Sequence, residues 1–491
     1  MQMIRRVQVG RTDQGFCKRL APTMALLMFL SEPSAVLSRH AGSTQPSHQQ
    51  PSASDPGRTE KDVSIDRGTL LLEYLLGEQS SVLWAVTCDS VKQYDLPGRA
   101  VIEKAAQRVT ALLTARLPRD NETNLEAYNR AARSRSEFPA AAADLSQMIL
   151  GPVAGDLGRK RLLIVADGAL HFIPFATLPK PRTDDQMKSR MVGQRRAANQ
   201  RDRPSAISDR QSPNPLILDH EIVNLPSASV LGMLRRRRQT RPVAQRLLAL
   251  LADPVFERDD PRFNPESAGA TIAKQSDAVT LRSAATISTI PGMQGRLTRL
   301  RFARQEADYI LAALSPAERE MSLAAFDFAA SQELALSPEL ERYRYLHFAT
   351  HGFLDNERPE LSGLALSFLD RDGRDKDGFL RLVEIYNLRL AAELVTLSAC
   401  ETGLGKQVSG EGIVGLTHGF LHAGASRVLV SLWRVDDRAS SRLMRRVYEG
   451  IFREKLSPAA ALRKAQISLM QDPATRDPFF WAAFVLHGEP R

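Results

Sequence analysis

The sequence predicts an α/β fold: three layers, with a mostly parallel central sheet flanked by helices. Three observations predict it. Short apolar, partly β-branched runs alternate with amphipathic helical stretches along the C-terminal half, the 43% apolar content is ample for a core, and two of the runs end in Gly-marked turns. Strands alternating with helices require parallel pairing through crossovers, and right-handed crossovers place helices on both faces.

Taken in order, the chain opens with a stretch that does not read as part of that fold. Arg5, Arg6, Arg11, Lys18 and Arg19 precede the apolar run from Ala21 to Leu30, and Pro33-Ser34-Ala35 offers a small-residue exit. This is a weak signal-like pattern with a long basic lead, and ten apolar residues are too few to span a bilayer. We read residues 1–62 as a disordered leader, or a misassigned start, followed by a Ser/Pro/Gln-rich linker over 36–62, and residues 63–491 as the folded domain.

Within it, Leu83-Trp84-Ala85-Val86-Thr87 and Gln93-Tyr94-Asp95-Leu96 flank the turn-prone Asp89-Ser90 and predict a hairpin. Residues 100–117 and 124–149 carry helical periodicity, 161–166 form an apolar strand ending at Asp167-Gly168, and 216–225 read as extended. A strand over 247–252 stops at Asp253-Pro254. A helix is expected over 295–314, then strands 343–350 and 363–369, helix 379–390, strand 393–399, helix 411–423, strand 426–432, helices 436–453 and 457–471, and strand 479–486. No repeat period of 20–50 residues interrupts this order.

The net charge of +10 raises the question of nucleic acid or an anionic membrane. Its distribution argues against much of that. Residues 181–214 hold eight Lys/Arg against four Asp among Pro, Ser, Gln and Asn, with almost no apolar period, and read as a solvated insertion. Residues 257–291, rich in Asp, Pro, Ser and Ala, read as a second, flexible insertion, and Arg235 to Arg238 as the exposed last turn of a helix. No aromatic residues interleave with these charges, as a stacking surface for RNA would need. Three cysteines, at 17, 88 and 400, are few and scattered, which fits a reducing compartment rather than a disulfide framework.

Two segments carry the chemistry. Leu346-His347-Phe348-Ala349-Thr350-His351-Gly352 and Leu394-Val395-Thr396-Leu397-Ser398-Ala399-Cys400-Glu401-Thr402-Gly403 each read as a strand running out into a turn. One delivers an imidazole, the other a thiol. A thiol with an ordinary pKa of about 8.5 becomes a competent nucleophile beside a base, and a histidine is its natural neighbour. The spacing is too wide for one helix face and suits adjacent parallel strands, whose carboxyl ends are where ligands bind in open α/β sheets.

At these residues the sequence resembles the CHAT domain, a caspase-like cysteine peptidase module related to separases and often fused to tetratricopeptide repeats. The resemblance extends to Gly410-Glu411-Gly412, to Ser431-Leu432-Trp433-Arg434-Val435-Asp436-Asp437, to Leu71 through Glu78 and to Leu162 through Phe175, so it spans residues from about Ile65 to the C-terminus. It implies a caspase-like fold, with Cys400 as nucleophile, His351 as its assisting imidazole, and the backbone N–H groups of Gly352 and Cys400 as the oxyanion site. In separases a similar Trp-x-Val-x-Asp stretch supplies the acid that reads a basic P1 residue; it aligns with Asp437, beside Asp436, and implies cleavage after Arg or Lys.

Plainer explanations compete at several positions. Asp436 and Asp437 sit where a helix begins, so capping accounts for one of them without a substrate. Glu401 and Glu411 lie near the thiol in sequence, and Glu411 suits the N-terminus of the helix opening at Gly412. His347 shares a strand face with His351 and reads as a satisfied core histidine. His418 and His422 are spaced i, i+4 but lack a third ligand, so no metal is expected. Thr402-Gly403-Leu404-Gly405-Lys406-Gln407 and Gly410 to Gly415 lack the residues of a phosphate loop or a dinucleotide fingerprint, so no cofactor is expected. The expected partner is a specific protein substrate, of the kind often encoded nearby, with a regulatory protein as a second partner. No stable membrane insertion or nucleic acid is expected, and the location is cytoplasmic, or exported if residues 1–35 act as a signal. A scaffold that keeps the fold without cutting, and a nucleic-acid-binding protein using the basic insertions, are the competing readings.

Overall fold

A computed structural model describes residues 65–119, 121–183, 214–240, 243–262, 297–353, 358–398, 411–434 and 436–490. Strands β1 (Thr69–Leu75), β2 (Ser80–Val86) and β3 (Val91–Pro97) pair antiparallel in succession. The expected hairpin is present, its turn closed by the Thr87 N–H donating to the Ser90 carbonyl at 2.9 Å. Helices α1 (Arg99–Leu113) and α2 (Asn124–Leu150) follow, the second opened by a reciprocal Thr123–Glu126 capping box. Next come β4 (Arg161–Val165), β5 (Ile222–Asn224), α3 (Ala228–Thr240), β6 (Arg246–Pro254) and α4 (Arg301–Ala312). The rest of the chain supplies β7 (Leu323–Asp327), β8 (Tyr343–Ala349), β9 (His351–Phe353), β10 (Gly363–Ala365), β11 (Phe379–Arg381) and β12 (Leu394–Leu397). It closes with α5 (Glu411–His422), β13 (Arg427–Ser431), α6 (Asp437–Phe452), α7 (Pro458–Gln471) and β14 (Phe484–Gly488).

Among the described residues, eleven strands form one sheet in the order β3-β2-β1-β4-β5-β14-β13-β12-β8-β6-β7. β1, β4, β5 and β14 are mutually parallel, as are β13, β12, β8, β6 and β7, and the two sets meet antiparallel where β13 pairs with β14. Two parallel half-sheets therefore point in opposite directions within one sheet. β6, β7, β8, β12 and β13 all bring their carboxyl ends to the rim where the candidate chemistry lies.

Alternation along β8 shows the layers. Tyr345 and His347 meet Phe452 and Tyr448 of α6, each at 5.4 Å between ring centroids, whereas Phe348, on the opposite face, meets Phe420 of α5 at 6.0 Å. β12 and β13 are buried along their whole length, as parallel strands between two helical layers must be. The expected three-layer α/β arrangement is thus the one observed. Gly424 makes the tight turn from α5 into β13 at φ 117°, and a Cβ there would stand 2.4 Å from the Leu390 carbonyl oxygen.

Several elements differ from the sequence reading. β7, short and alanine-rich, was not anticipated. The segment expected as strand 363–369 is strand only over Gly363–Ala365 and leaves the main sheet, pairing with β9 and β11 in a separate three-stranded sheet. The cause is a small second core of Phe256, Leu297, Phe353, Ala365, Phe368 and Phe379, which draws the chain back after β8. The same core takes Phe379, so the expected helix 379–390 begins as strand β11 and shortens to Leu382–Tyr386, where Glu384 caps the Arg381 N–H at 2.7 Å. Helix α4 starts at Arg301 rather than 295, and β6 continues through Asp253, which adopts φ 53°. Residues 478–481 form a helical turn capped by Asp477, which delays the last strand to Phe484.

Arg235 to Arg238 do end α3, and two of them have structural work. Arg237 donates to the Leu421 and His422 carbonyls, at 3.1 and 2.7 Å, closing the carboxyl end of α5, and Arg235 pairs with Glu489 at 3.7 Å. Residues 1–64, and most of the two expected insertions (184–213 and 263–296), lie outside the described residues.

Candidate active site

Where β8 ends, Thr350 donates its hydroxyl to the Ala365 carbonyl, and the chain turns into β9 with His351 opposite Ala365 and Gly352 opposite Leu364. This fold-back buries the imidazole: His351 is 1% exposed, with the Phe256 ring 5.3 Å away between centroids. Its Nε2 lies 2.6 Å from the carbonyl oxygen of Thr298. A carbonyl only accepts, so the neutral ring carries its hydrogen on Nε2 and its lone pair on Nδ1.

β12 runs parallel to β8, with Leu394 opposite Tyr345 and Leu397 opposite Phe348, and the Ser398 N–H donates to the Phe348 carbonyl at 2.9 Å. Both strands thus head for one rim. Cys400, Glu401 and the loop 402–407 lie outside the described residues, as does the Glu411 side chain.

A small cavity of about 30 Å³ opens beyond the ends of β8 and β12, lined by His351, Ala349, Ser398, Arg434, Asp437 and, from α4, Glu306 among others. The two neighbouring aspartates part company here. Asp436 is exposed and caps α6, accepting from the Ala439 N–H at 3.0 Å. Asp437 is half-buried and faces the cavity, and its carboxylate makes no hydrogen bond or ion pair with the described residues. Burial holds its pKa above the ordinary aspartate value, helped by the negative neighbours Asp436 and Glu306 and opposed by Arg434 and His351.

Glu306 was not singled out from the sequence. It is 3% exposed, lines the cavity, and reaches under it to accept from His347 Nε2 at 2.8 Å. The other nitrogen, Nδ1, is 3.0 Å from the Tyr448 hydroxyl, which donates to Thr396 at 3.1 Å. His347 is accordingly a satisfied core histidine. A buried glutamate on an otherwise amphipathic helix was the available signal, hidden because Glu306 sits in the charged stretch Arg304-Gln305-Glu306.

His418 faces away from this site. Burial lowers its pKa and those of His171 and His487, the last to about 3; His171 further opposes the protonation of His418, and both oppose that of His487, while Asp167 favours the protonated form of His171. Among the described residues no group of three His, Cys, Asp or Glu side chains is disposed to hold a metal, and no helix is long and apolar enough to cross a membrane.

Residues 139–489 match the CHAT domain family. Tetratricopeptide repeat protein 28 of Mus musculus is 36% identical over 109 residues, and that of Homo sapiens 35% over 109 residues. Each match covers 22% of this chain and 4% of the relative, so the chain spans a small fraction of these proteins' length. Among solved structures, separase in the Saccharomyces cerevisiae separase–securin complex aligns with a TM-score of 0.49 at 11% identity, over 88% of this chain and 31% of that one. The complex of Porphyromonas gingivalis RgpB pro- and mature domains aligns with a TM-score of 0.35 at 10% identity, over 80% and 77%. With the family match extending from α2 to the end of β14, this chain belongs to the CHAT domain family.

Proposed function

We propose that the chain is a cysteine endopeptidase that cuts a specific protein partner after Arg or Lys, with Cys400 as nucleophile and His351 as its base. One observation carries this reading: the His351 ring and the Asp437 carboxylate line a single cavity, on the rim towards which β12 runs three residues before Cys400. In this reading the domain comprises residues 63–491 with two insertions, 181–214 and 257–291, the first of them basic.

The chemistry runs as follows. The Cys400 thiol passes its proton to Nδ1 of His351, and the thiolate attacks the scissile carbonyl carbon. The N–H groups of Gly352 and Cys400 hold the oxyanion, each such donor lowering the barrier by about 2.7–4 kcal/mol. Collapse expels the amine, which takes the proton from the imidazolium and leaves a thioester. Water then adds, losing a proton to His351, and departure of the carboxylic acid restores the thiol.

For the P1 side chain the cavity offers two carboxylates, Asp437 without a partner among the described residues and Glu306 with a single hydrogen bond. A guanidinium would meet both the charge and the hydrogen-bonding need of Asp437.

A thiol-reactive peptidyl probe with arginine at P1 tests the proposal. Labelling should vanish in Cys400→Ala and weaken in His351→Ala. Absence of labelling in the folded chain, with a candidate partner present, would leave the scaffold reading in its place.

A further inference from the structure

The Thr298 carbonyl that faces His351 belongs to a stretch without regular structure. Residues 297–300 lie between the end of an insertion and the first turn of α4, which has no side-chain cap. A carbonyl in such a stretch has no ladder to aim it. Its neighbour is anchored: Arg299 donates Nε and a terminal nitrogen to the two carboxylate oxygens of Asp253, at 2.8 and 2.6 Å. On the other side, Leu297 is held in the small aromatic core.

Asp253 is an unusual anchor. It sits at the carboxyl end of β6 with φ 53°, a conformation that a non-glycine residue seldom adopts, and its side chain is fully removed from solvent. Arg262 grips the same residue from the other direction, donating to the Asp253 carbonyl at 2.6 Å and to Asp327 of β7 at 2.7 Å. Asp327 has φ 54°. Two left-handed aspartates at the ends of neighbouring strands are thus tied by one guanidinium, and this rigid corner supports the Arg299 fork. A tie between β6 and β7 explains Arg262; it does not explain why a second, partly exposed arginine is spent in bidentate contact next to the peptide that meets His351.

We propose that Asp253 and Arg299 are positioning residues for His351: their ion pair fixes the peptide whose carbonyl accepts from Nε2, and so holds the ring in the Nε2–H tautomer with its lone pair on Nδ1. Neither residue touches the reacting atoms. Its consequence for catalysis rests on the peptidase reading, while the state of the ring can be read without any turnover.

The test uses the full chain carrying Cys400→Ala, labelled with ¹⁵N-histidine, and long-range ¹H–¹⁵N spectra that report the tautomer of His351. The parent should show one Nε2–H tautomer. Arg299→Ala should give a mixture, and Arg299→Lys, which keeps the charge but not the fork, an intermediate state. Because Asp253→Asn could unfold this corner, Arg299→Ala, at a side chain 38% exposed, is the deciding variant. With Cys400 present, its alkylation rate by iodoacetamide should fall about tenfold to a hundredfold in Arg299→Ala, the loss typical of a misplaced reacting group. An unchanged His351 tautomer in a folded Arg299→Ala chain overturns the proposal. A parent Cys400 no more reactive than an ordinary thiol would sink the peptidase reading instead, and the spectra would still decide the role of the ion pair.

Discussion

Glu306 Oε1 and His347 Nε2 lie 2.8 Å apart, and both side chains are shut away from solvent between α4 and β8. The contact joins the floor of the cavity to the core of the sheet, because His347 also reaches Tyr448 of α6. Removing one partner from such a buried pair leaves the other without compensation.

We therefore expect Glu306→Ala to lower the unfolding free energy by about 3–5 kcal/mol. Glu306→Gln, which keeps an oxygen able to accept from His347, should lose well under half of that. Urea denaturation followed by circular dichroism checks both, and near-equal stability of the two variants would mean that the contact is not what holds α4 to the sheet.

Asp437 should show opposite effects on stability and on activity. Burial raises its folded-state pKa, so its contribution to stability is complete below the unfolded value of about 3.9 and is lost as pH rises through the higher folded value. At pH 7 the ionised carboxylate is therefore a burden on the unliganded chain. Asp437→Asn should raise the unfolding midpoint at pH 7, with the gain fading towards about pH 4. The same variant should lose roughly tenfold to a hundredfold in kcat/KM on Arg substrates, the value of about 1.5–3 kcal/mol for a hydrogen bond to a charged group. Turnover that stays indifferent to P1 charge in both chains would remove Asp437 from substrate recognition.

Its neighbour makes the contrast. Asp436→Ala should destabilise the fold by about 1 kcal/mol through loss of the α6 cap and leave P1 preference alone. A shift in preference without loss of stability would reverse the roles given to the two aspartates.

The histidines on the far side of the site predict acid lability. His171, His418 and His487 all have lowered pKa values, His487 about 3. A group depressed in this way stabilises the fold fully above its unfolded pKa of about 6.5, and that stability is lost as pH falls towards the folded value. Between pH 6.5 and 5 the unfolding free energy should drop by on the order of 1 kcal/mol per pH unit through His487 alone, with His171 and His418 adding in the same direction. His487→Gln should flatten that slope, and a wild-type midpoint constant from pH 7 to 5 would contradict it.

The strands that flank the site were readable because their patterns are local. β8 and β12 announce themselves by apolar runs, and the alternation in Leu346-His347-Phe348 already separates a face for α6 from a face for α5. The aspartate pair was half readable: a helix start explains one acid, but the choice depends on the direction in which α6 leaves β13. Glu306 was not readable, since its neighbours Arg304 and Asp308 make it look like part of a solvated helix face.

The sequence by itself determined which segments alternate as strand and helix, and the family motifs around His351 and Cys400. Those properties follow from side-chain periodicity and turn chemistry within a few residues. Tertiary structure alone decided that the sheet reverses direction between β13 and β14, that the aromatic side core bends the chain after β8, and that Asp437 rather than Asp436 turns inward beside Glu306. These choices depend on which distant surfaces exclude water from one another. That free energy belongs to pairs of segments, and no single segment carries its pattern.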